Sequence, residues 1–186
     1  MELTAKKEVN TTYNPNMLQE ILAASSQIAP HYFALPVADL PEPLLRERVY
    51  CYELYHQLRL ILPEDGRVVL TGEVDKARNP SFRERRCIPD LIFHEPGNHN
   101  QNQTVVEVEC RVDRIHLRKD FRTFALFRQK GYRELILLLF GIGETPWDLL
   151  YEAAAAAGIA LETVTVVLHS APGQAATVQR MPGHFR

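Results

Sequence analysis

The feature that most constrains the fold is a pair of alternating segments, residues 88–94 and 105–111, separated by a polar loop. Successive side chains of a β-strand point to opposite faces, so both segments are predicted to be strands with acids on one face and apolar side chains on the other. Asp90 lies on the acidic face of the first strand, and Glu107 and Glu109 lie on that of the second. If the strands are neighbours, the three carboxylates converge.

Converging carboxylates need a compensating charge. Three of them cannot sit close together as anions unless something positive lies between them, and a divalent metal ion meets that need. The alternative is a half-exposed strand, whose glutamates on the solvated face need no metal. What favours the metal is the combination of a Pro-Asp pair, a return strand, a Glu-x-Glu sequence and an acidic helix upstream.

The rest of the core alternates between helical and strand patterns. An apolar run at 134–140 is typical of a strand buried on both faces, and Thr145 followed by Pro146 predicts an N-cap and the first residue of a helix. The alternation predicts an α/β protein with a mixed β-sheet flanked by helices. The predicted elements are helix 44–62, strands 68–74, 86–94 and 103–112, helix 117–130, strand 134–140, helix 145–157 and strand 161–169.

Both ends of the chain are predicted to lie outside this core, which spans residues 44–169. Residues 1–43 contain a candidate amphipathic helix at 16–29 and then a proline-rich connector. They form either an arm that contacts a partner or a helix laid over the core. Residues 170–186 are predicted to be a tail.

Composition restricts the setting of the protein. The 186 residues contain no apolar run long enough to cross a bilayer and no signal-peptide pattern, so no membrane contact is expected. Three cysteines without Cys-x-x-Cys spacing favour a reduced, cytoplasmic protein.

The net charge is only −2, but basic residues cluster at 76–86 and 111–133, on both sides of the acidic strands. Such clusters provide the positive field that a phosphate backbone needs, although solvated faces also carry charge runs.

Two patterns on the predicted helices have a functional and a structural interpretation. Glu47 falls on the apolar stripe of the first helix, where a carboxylate is costly unless it is paired or near a metal; an ion pair with Arg48 or Arg59 is the alternative. Three phenylalanines of the second helix are able to stack on bases, yet their spacing favours core packing. They are Phe121, Phe124 and Phe127.

Four linked segments resemble the PD-(D/E)xK nuclease superfamily, whose restriction-endonuclease-like core has the order αβββαβ. The similarity covers residues 44–140, and an extra helix and strand follow. The segments that carry it are residues 47–54 on the first helix, 72–76 at the end of the first strand, 89–94 and 106–109.

The resemblance implies a metal site and assigns roles to its residues. Asp90 and Glu107 are expected to bind Mg²⁺ or Mn²⁺, and Glu47 to support them. Glu109 occupies the position of the family's usual lysine, so it is expected to act as a general base or to help hold a second metal. Positive charge must then come from elsewhere on the chain. The candidates for binding nucleic acid are Arg111, Arg118, Lys119, Arg122 and Lys76, and the secondary site candidates are Glu73 and His94.

The function implied is that of a metal-dependent endonuclease that hydrolyses phosphodiester bonds in nucleic acid, with DNA favoured. By analogy with the family, a bacterial defence or mobile-element system is a plausible setting. No target-recognition segment is evident, which leaves specificity to a homodimer, a partner subunit or the structure of the substrate. The alternative is a catalytically inactive module of the same fold that binds nucleic acid or scaffolds a partner. A third hypothesis, an unrelated α/β protein that binds a small ligand or a protein, has no positive motif.

Overall fold

The computed structural model describes residues 16–64, 66–73, 87–98 and 101–182. Five α-helices, six strands and one 3₁₀ turn follow one another in these ranges. In chain order they are α1 (Met17–Ser25), α2 (Pro30–Phe33), α3 (Glu47–Ile61), β1 (Val69–Gly72), β2 (Leu91–His94), β3 (Asn102–Glu109), α4 (Arg114–Gln129), β4 (Glu134–Phe140), α5 (Trp147–Ala157), the 3₁₀ turn Leu161–Thr163, β5 (Val164–His169) and β6 (Thr177–Val178).

The six strands form one mixed sheet in the order β1-β2-β3-β4-β5-β6. Strands β1, β2 and β3 are antiparallel neighbours, β3, β4 and β5 are parallel neighbours, and β6 pairs antiparallel with β5. Helices cover both faces of the sheet, so the predicted α/β class with a mixed, helix-flanked sheet is confirmed. Strand β3 lies in the interior of the sheet, which places its acids among buried side chains.

Two apolar layers sandwich the sheet. Helices α1 and α3 pack on the face formed by Leu91, Phe93, Val106 and Val108, and α4 and α5 pack on the other face. The predicted alternation along β2 and β3 is therefore confirmed. The half-exposed alternative is wrong for β3, because both faces of this strand are covered. Core packing is also confirmed for the three phenylalanines of α4, Phe121, Phe124 and Phe127, which are fully buried.

Helix α3 begins three residues after the predicted start, and the starts of α4 and α5 also differ from the sequence prediction. Helix α4 begins three residues before the predicted start, because the Asp113 carboxylate accepts hydrogen bonds from the N–H groups of Ile115 and His116 and so caps the first turn. The predicted Thr145 cap of α5 is wrong: Pro146 is the N-cap residue, and no side chain caps this helix. The Thr145 hydroxyl instead donates to Gln179 at 3.2 Å.

The chain ends join the core more closely than their sequences suggest. Helix α1 packs against α3 through the buried side chains of Met17 and Ile21. The predicted tail contributes strand β6, and the N–H of buried Ala176 donates to the Ser25 hydroxyl at 2.8 Å, which ties this segment to α1. Over the described residues, no helix combines the length and the apolar composition needed to span a membrane.

Candidate active site

The antiparallel register of β2 and β3 brings Asp90 and Glu107 together. Leu91 pairs with Val106, so the residue before Leu91 faces the residue after Val106. The Asp90 carboxylate also accepts a hydrogen bond from the N–H of Val108 at 2.7 Å, which fixes it against β3. Burial raises the pKa of Asp90 and, together with repulsion from Asp90, that of Glu107, so the two carboxyl groups lie close enough to interact.

Glu107 is a buried carboxylate without a partner. Its residue is 0% exposed, and neither carboxylate oxygen has a hydrogen-bond partner among the described residues. Thr123 lies close enough to favour the ionised form slightly, but its hydroxyl donates to the Lys119 carbonyl oxygen at 3.3 Å. Burial, together with repulsion from Asp90 and Asp120, raises the pKa of Glu107 well above its usual range. Burial therefore favours the neutral form of this side chain unless a cation lies beside it.

Helix α4 adds one acid and one base to the same cluster. Asp120 is buried, its Oδ2 atom has no partner within the described ranges, and burial raises its pKa to about 8. Lys119 places its Nζ atom 3.7 Å from Asp120 Oδ1. Burial lowers the pKa of this lysine, but attraction from Glu107, Asp120 and Asp90 outweighs burial and raises it. Lys119, one of the predicted nucleic-acid contacts, thus also interacts with the acidic cluster.

Asp120 is the site residue that the sequence prediction missed. It lies three residues after Leu117 and four before Phe124, so it falls on the apolar stripe of α4 that packs on the sheet. An acid at this position is as costly as Glu47 on the first helix, because a carboxylate on a buried stripe needs a partner. A search of every helix for acids on the apolar stripe would have found it.

Glu47 and Glu109 extend the cluster toward the surface. Glu47 is the first residue of α3 rather than a residue in the middle of its stripe, and burial, with repulsion from Asp90 and Glu109, raises its pKa to about 7. Glu109 is 2% exposed and accepts a hydrogen bond from the N–H of Arg111; burial raises its pKa. Neither ion pair considered for Glu47 forms in the described part of the chain, where Arg48 pairs with Glu73 at 3.1 Å instead.

The predicted nucleic-acid contacts fall into different environments. Arg118 is held by Glu152 of α5 at 2.7 Å, so its guanidinium group joins two helices. Arg111 and Arg122 are exposed. Lys76 lies outside the described residues.

The two secondary candidates lie at different distances from the cluster. His94 ends β2, roughly 13 Å along the strand from Asp90, and its ring contacts the Thr71 hydroxyl at 3.3 Å. Glu73 follows β1 with a positive φ of 43° and pairs with Arg48, but it borders the cluster, because its N–H donates to the Asp90 carbonyl oxygen at 3.0 Å.

The fit of a metal ion can be tested on the carboxylates themselves. Within the described ranges, no group of three or more His, Cys, Asp or Glu side chains has an arrangement that could hold a metal ion. Mg²⁺, however, is commonly bound by one or two carboxylates together with waters and substrate phosphates, and not by an all-protein cage. Asp90 and Glu107 fit that mode, because the oxygens of Glu107 have no other partner.

No protein-family model, curated protein or solved structure matches this chain. The assignment to a class therefore depends on the fold and on the cluster of carboxylates described above.

Proposed function

We propose that the protein is a Mg²⁺-dependent nuclease with a restriction-endonuclease-like core, in which Asp90 and Glu107 hold the metal ion. The observation that carries the proposal is the meeting of these two carboxyl groups at a buried point where the oxygens of Glu107 have no partner among the described residues. The order of α3, β1, β2, β3, α4 and β4 supports it, since it is the αβββαβ order of that class.

The electrostatics of the cluster support a cation. Several carboxyl groups lie together at low exposure, and burial together with repulsion from neighbouring acids raises the pKa of Glu47, Glu107 and Asp120. Burying an unpaired charge costs several kcal/mol, so the cluster is stable only if its acids are protonated or if a cation lies between them. Lys119 supplies one positive charge, which does not balance the negative charge of five ionised acids, so a divalent ion would stabilise the cluster further. The five acids are Glu47, Asp90, Glu107, Glu109 and Asp120.

In the proposed phosphodiester hydrolysis the metal ion, Lys119 and Glu47 have separate roles. Bound Mg²⁺ supplies a Lewis acid that stabilises negative charge on the phosphate and lowers the pKa of a water molecule. Lys119 takes over the role of the family's motif lysine and offsets the charge of the scissile phosphate. Glu47 reaches the solvent-exposed side of the cluster, and with a pKa of about 7 it accepts the proton of the attacking water. Glu109 holds the N–H of Arg111 and so fixes the end of β3.

Cleavage assays test this proposal directly. Purified protein is incubated with supercoiled DNA, linear duplex, single-stranded DNA and RNA in the presence of Mg²⁺, Mn²⁺ or EDTA. We expect cleavage that requires a metal ion and is lost in Asp90→Asn and Glu107→Gln, which keep the side-chain shapes. Glu152→Gln is the matched control, since Glu152 is a glutamate outside the cluster. If the protein cuts none of these substrates with either metal, the proposal is wrong.

One observation favours a second candidate, a nuclease-fold module that binds nucleic acid without cutting it. Glu109 stands where the class carries a lysine, and its carboxylate is already engaged by the N–H of Arg111. This candidate predicts binding of nucleic acid that is the same in EDTA and in Mg²⁺ and that is unchanged in Glu107→Gln. Anomalous scattering from a crystal soaked in Mn²⁺ separates the two, because only the nuclease proposal places a peak beside Asp90.

A further inference from the structure

A cleft of about 470 Å³ opens beside the surface end of the acidic cluster. Its walls come from the segment before α3, the first turns of α3, the end of β3 and the start of α4. Glu47 lines the cleft and also interacts with Asp90 and Glu109, so the cleft and the carboxylate cluster are contiguous. A volume of this size is in the range of small-ligand pockets.

The cleft carries positive charge that the fold does not use. Arg46 and Arg111 line it, both are exposed, and neither forms an ion pair within the described ranges. Arg48 also lines it but is paired with Glu73. A guanidinium group presents several donors in a planar fork that matches a phosphate, so two such groups beside one cleft favour an anionic ligand with phosphate geometry.

An aromatic side chain completes the wall. Tyr52 lies one helical turn after Arg48 on the same side of α3 and is 60% exposed. Leu35 and Leu45 add apolar surface to the same cleft. An exposed aromatic ring beside free guanidinium groups is the combination that binds a nucleotide, because the ring stacks on the base while the cations bind its phosphate.

The geometry points to an unpaired nucleotide as the ligand. In a duplex both faces of each internal base are covered by its stacked neighbours, so the Tyr52 ring gains a stacking partner only from a base that has left the stack or that belongs to a single strand. We infer that the cleft binds one unpaired nucleotide next to the scissile phosphate, with its base on Tyr52 and its phosphate on Arg46 and Arg111. This inference rests on the proposed nuclease function and narrows its substrate to nucleic acid that is single-stranded beside the cut.

Binding without cleavage tests the cleft independently of the catalytic proposal. The anisotropy of a fluorescein-labelled oligothymidylate of about ten nucleotides is measured in EDTA and compared with that of a blunt duplex of the same length. We expect Tyr52→Ala to weaken single-strand binding about 10-fold and to leave duplex binding unchanged. Tyr52→Phe keeps the ring and is expected to stay within about twofold of the wild type. Tyr32→Ala is the matched control for loss of an exposed tyrosine elsewhere.

The arginines have a separate signature. Each of Arg46→Gln and Arg111→Gln is expected to reduce the dependence of log affinity on log salt by about one unit, whereas Arg59→Gln, an exposed arginine near the other end of α3, leaves it unchanged. The inference is overturned if Tyr52→Ala binds single strands as the wild type does, or if it loses duplex affinity equally. It is also overturned if polyglutamate displaces the oligonucleotide from the wild type but has no effect on Tyr52→Ala, since the cleft would then bind an acidic peptide.

The two proposals fail in different ways. If no substrate is cut with Mg²⁺ or Mn²⁺ while single-strand binding depends on Tyr52, the nuclease proposal is wrong and the nucleotide subsite is supported. If metal-dependent cutting is observed while the Tyr52 and arginine variants bind normally, the nuclease proposal holds and the subsite is wrong.

Discussion

Helix α4 meets a glutamate on each of two sides, and the two glutamates have opposite environments. On its exposed side, Glu152 of α5 accepts from Arg114 at 2.8 Å and from Arg118 at 2.7 Å. These hydrogen bonds, with Arg114 contributing most, hold the pKa of Glu152 below its usual range. Beneath the helix, Glu107 has no partner among the described residues, and burial raises its pKa.

The comparison separates a contact that joins two helices from a residue that the fold leaves uncompensated. Glu152 is solvent-exposed and paired with Arg114 and Arg118, so its ionised form is favoured. Glu107 is fully buried beside Asp90 and Asp120, so its ionised form is disfavoured unless a cation lies next to it. Buried groups of this kind persist at functional sites, where their cost is offset when the ligand binds.

The largest expected effect is the loss of cleavage when the Glu107 carboxylate is replaced by an amide. Glu107→Gln is expected to lower metal-dependent cleavage by at least about 100-fold, because it removes a charge that the metal ion needs. In EDTA at pH 8 the same variant is expected to be at least as stable as the wild type, since the amide carries no charge to bury. Cleavage rates and urea unfolding measure the two effects. If Glu107→Gln is less stable than the wild type and fully active, Glu107 is a structural residue and not a metal ligand.

Stability should also depend on pH in a direction that is unusual for carboxyl groups. The folded chain holds protons on Asp120 and Glu47 up to pH values of about 8 and about 7, whereas the unfolded chain releases them near 4. Between these values the folded state binds more protons, so its stability falls as pH rises. In EDTA, we expect the free energy of unfolding to drop by a few kcal/mol between pH 5 and pH 8, and Mg²⁺ to restore part of it.

Asp120→Asn isolates this effect. The lowered pKa of His169, caused by burial, makes stability rise with pH below about 6.5, and subtraction of the variant's profile from that of the wild type removes this contribution. The difference between the two profiles should fall as pH rises toward 8. A difference that stays flat would mean that Asp120 is ionised in the folded protein throughout.

Lys119 should affect activity more than stability, because its side chain is 60% exposed and only its ammonium end interacts with the acids. Lys119→Gln is expected to lower the cleavage rate about 10- to 100-fold through loss of charge next to the phosphate. Lys119→Arg, which keeps the charge, should retain more activity than Lys119→Gln. Single-turnover rates at saturating substrate provide the measurement, and equal rates for the wild type and Lys119→Gln would exclude the lysine from the site.

The part of the fold that could be predicted from the sequence is the part set by periodicity. The apolar run 134–140 is β4 residue for residue, and the alternation around Glu107 assigns the faces of β3 correctly. The Thr145 contact could not be predicted, because its partner Gln179 is distant in the chain. The Asp113 cap is local, so an aspartate before the helical pattern was a signal that the sequence did contain. Strand β6 has only two residues and too short a pattern to detect.

The site residues divide in the same way into those predicted from local sequence patterns and those placed only by tertiary contacts. Asp90 and Glu107 were found because strand pairing follows from two local patterns and a short loop. Arg118 was assigned to the nucleic-acid surface because the sequence does not reveal that Glu152 of α5 lies opposite it. The cleft residues Arg46 and Tyr52 could not be singled out, since only the packing of α3 beside β3 places them near the acids.

The smallest expected effect is at Glu152, and it sets the scale for the others. Glu152→Gln leaves Arg114 and Arg118 without their carboxylate, but all three side chains are at least 38% exposed, so water replaces the lost contacts. Exposed ion pairs of this kind contribute little stability because water competes for them, which predicts a small loss of stability that shrinks further at high salt. Cleavage and nucleotide binding should not change. If Glu152→Gln impairs cleavage as strongly as Glu107→Gln does, the contrast between the two sides of α4 is wrong. The loss of cleavage would then not identify the acids beneath the helix as the metal ligands.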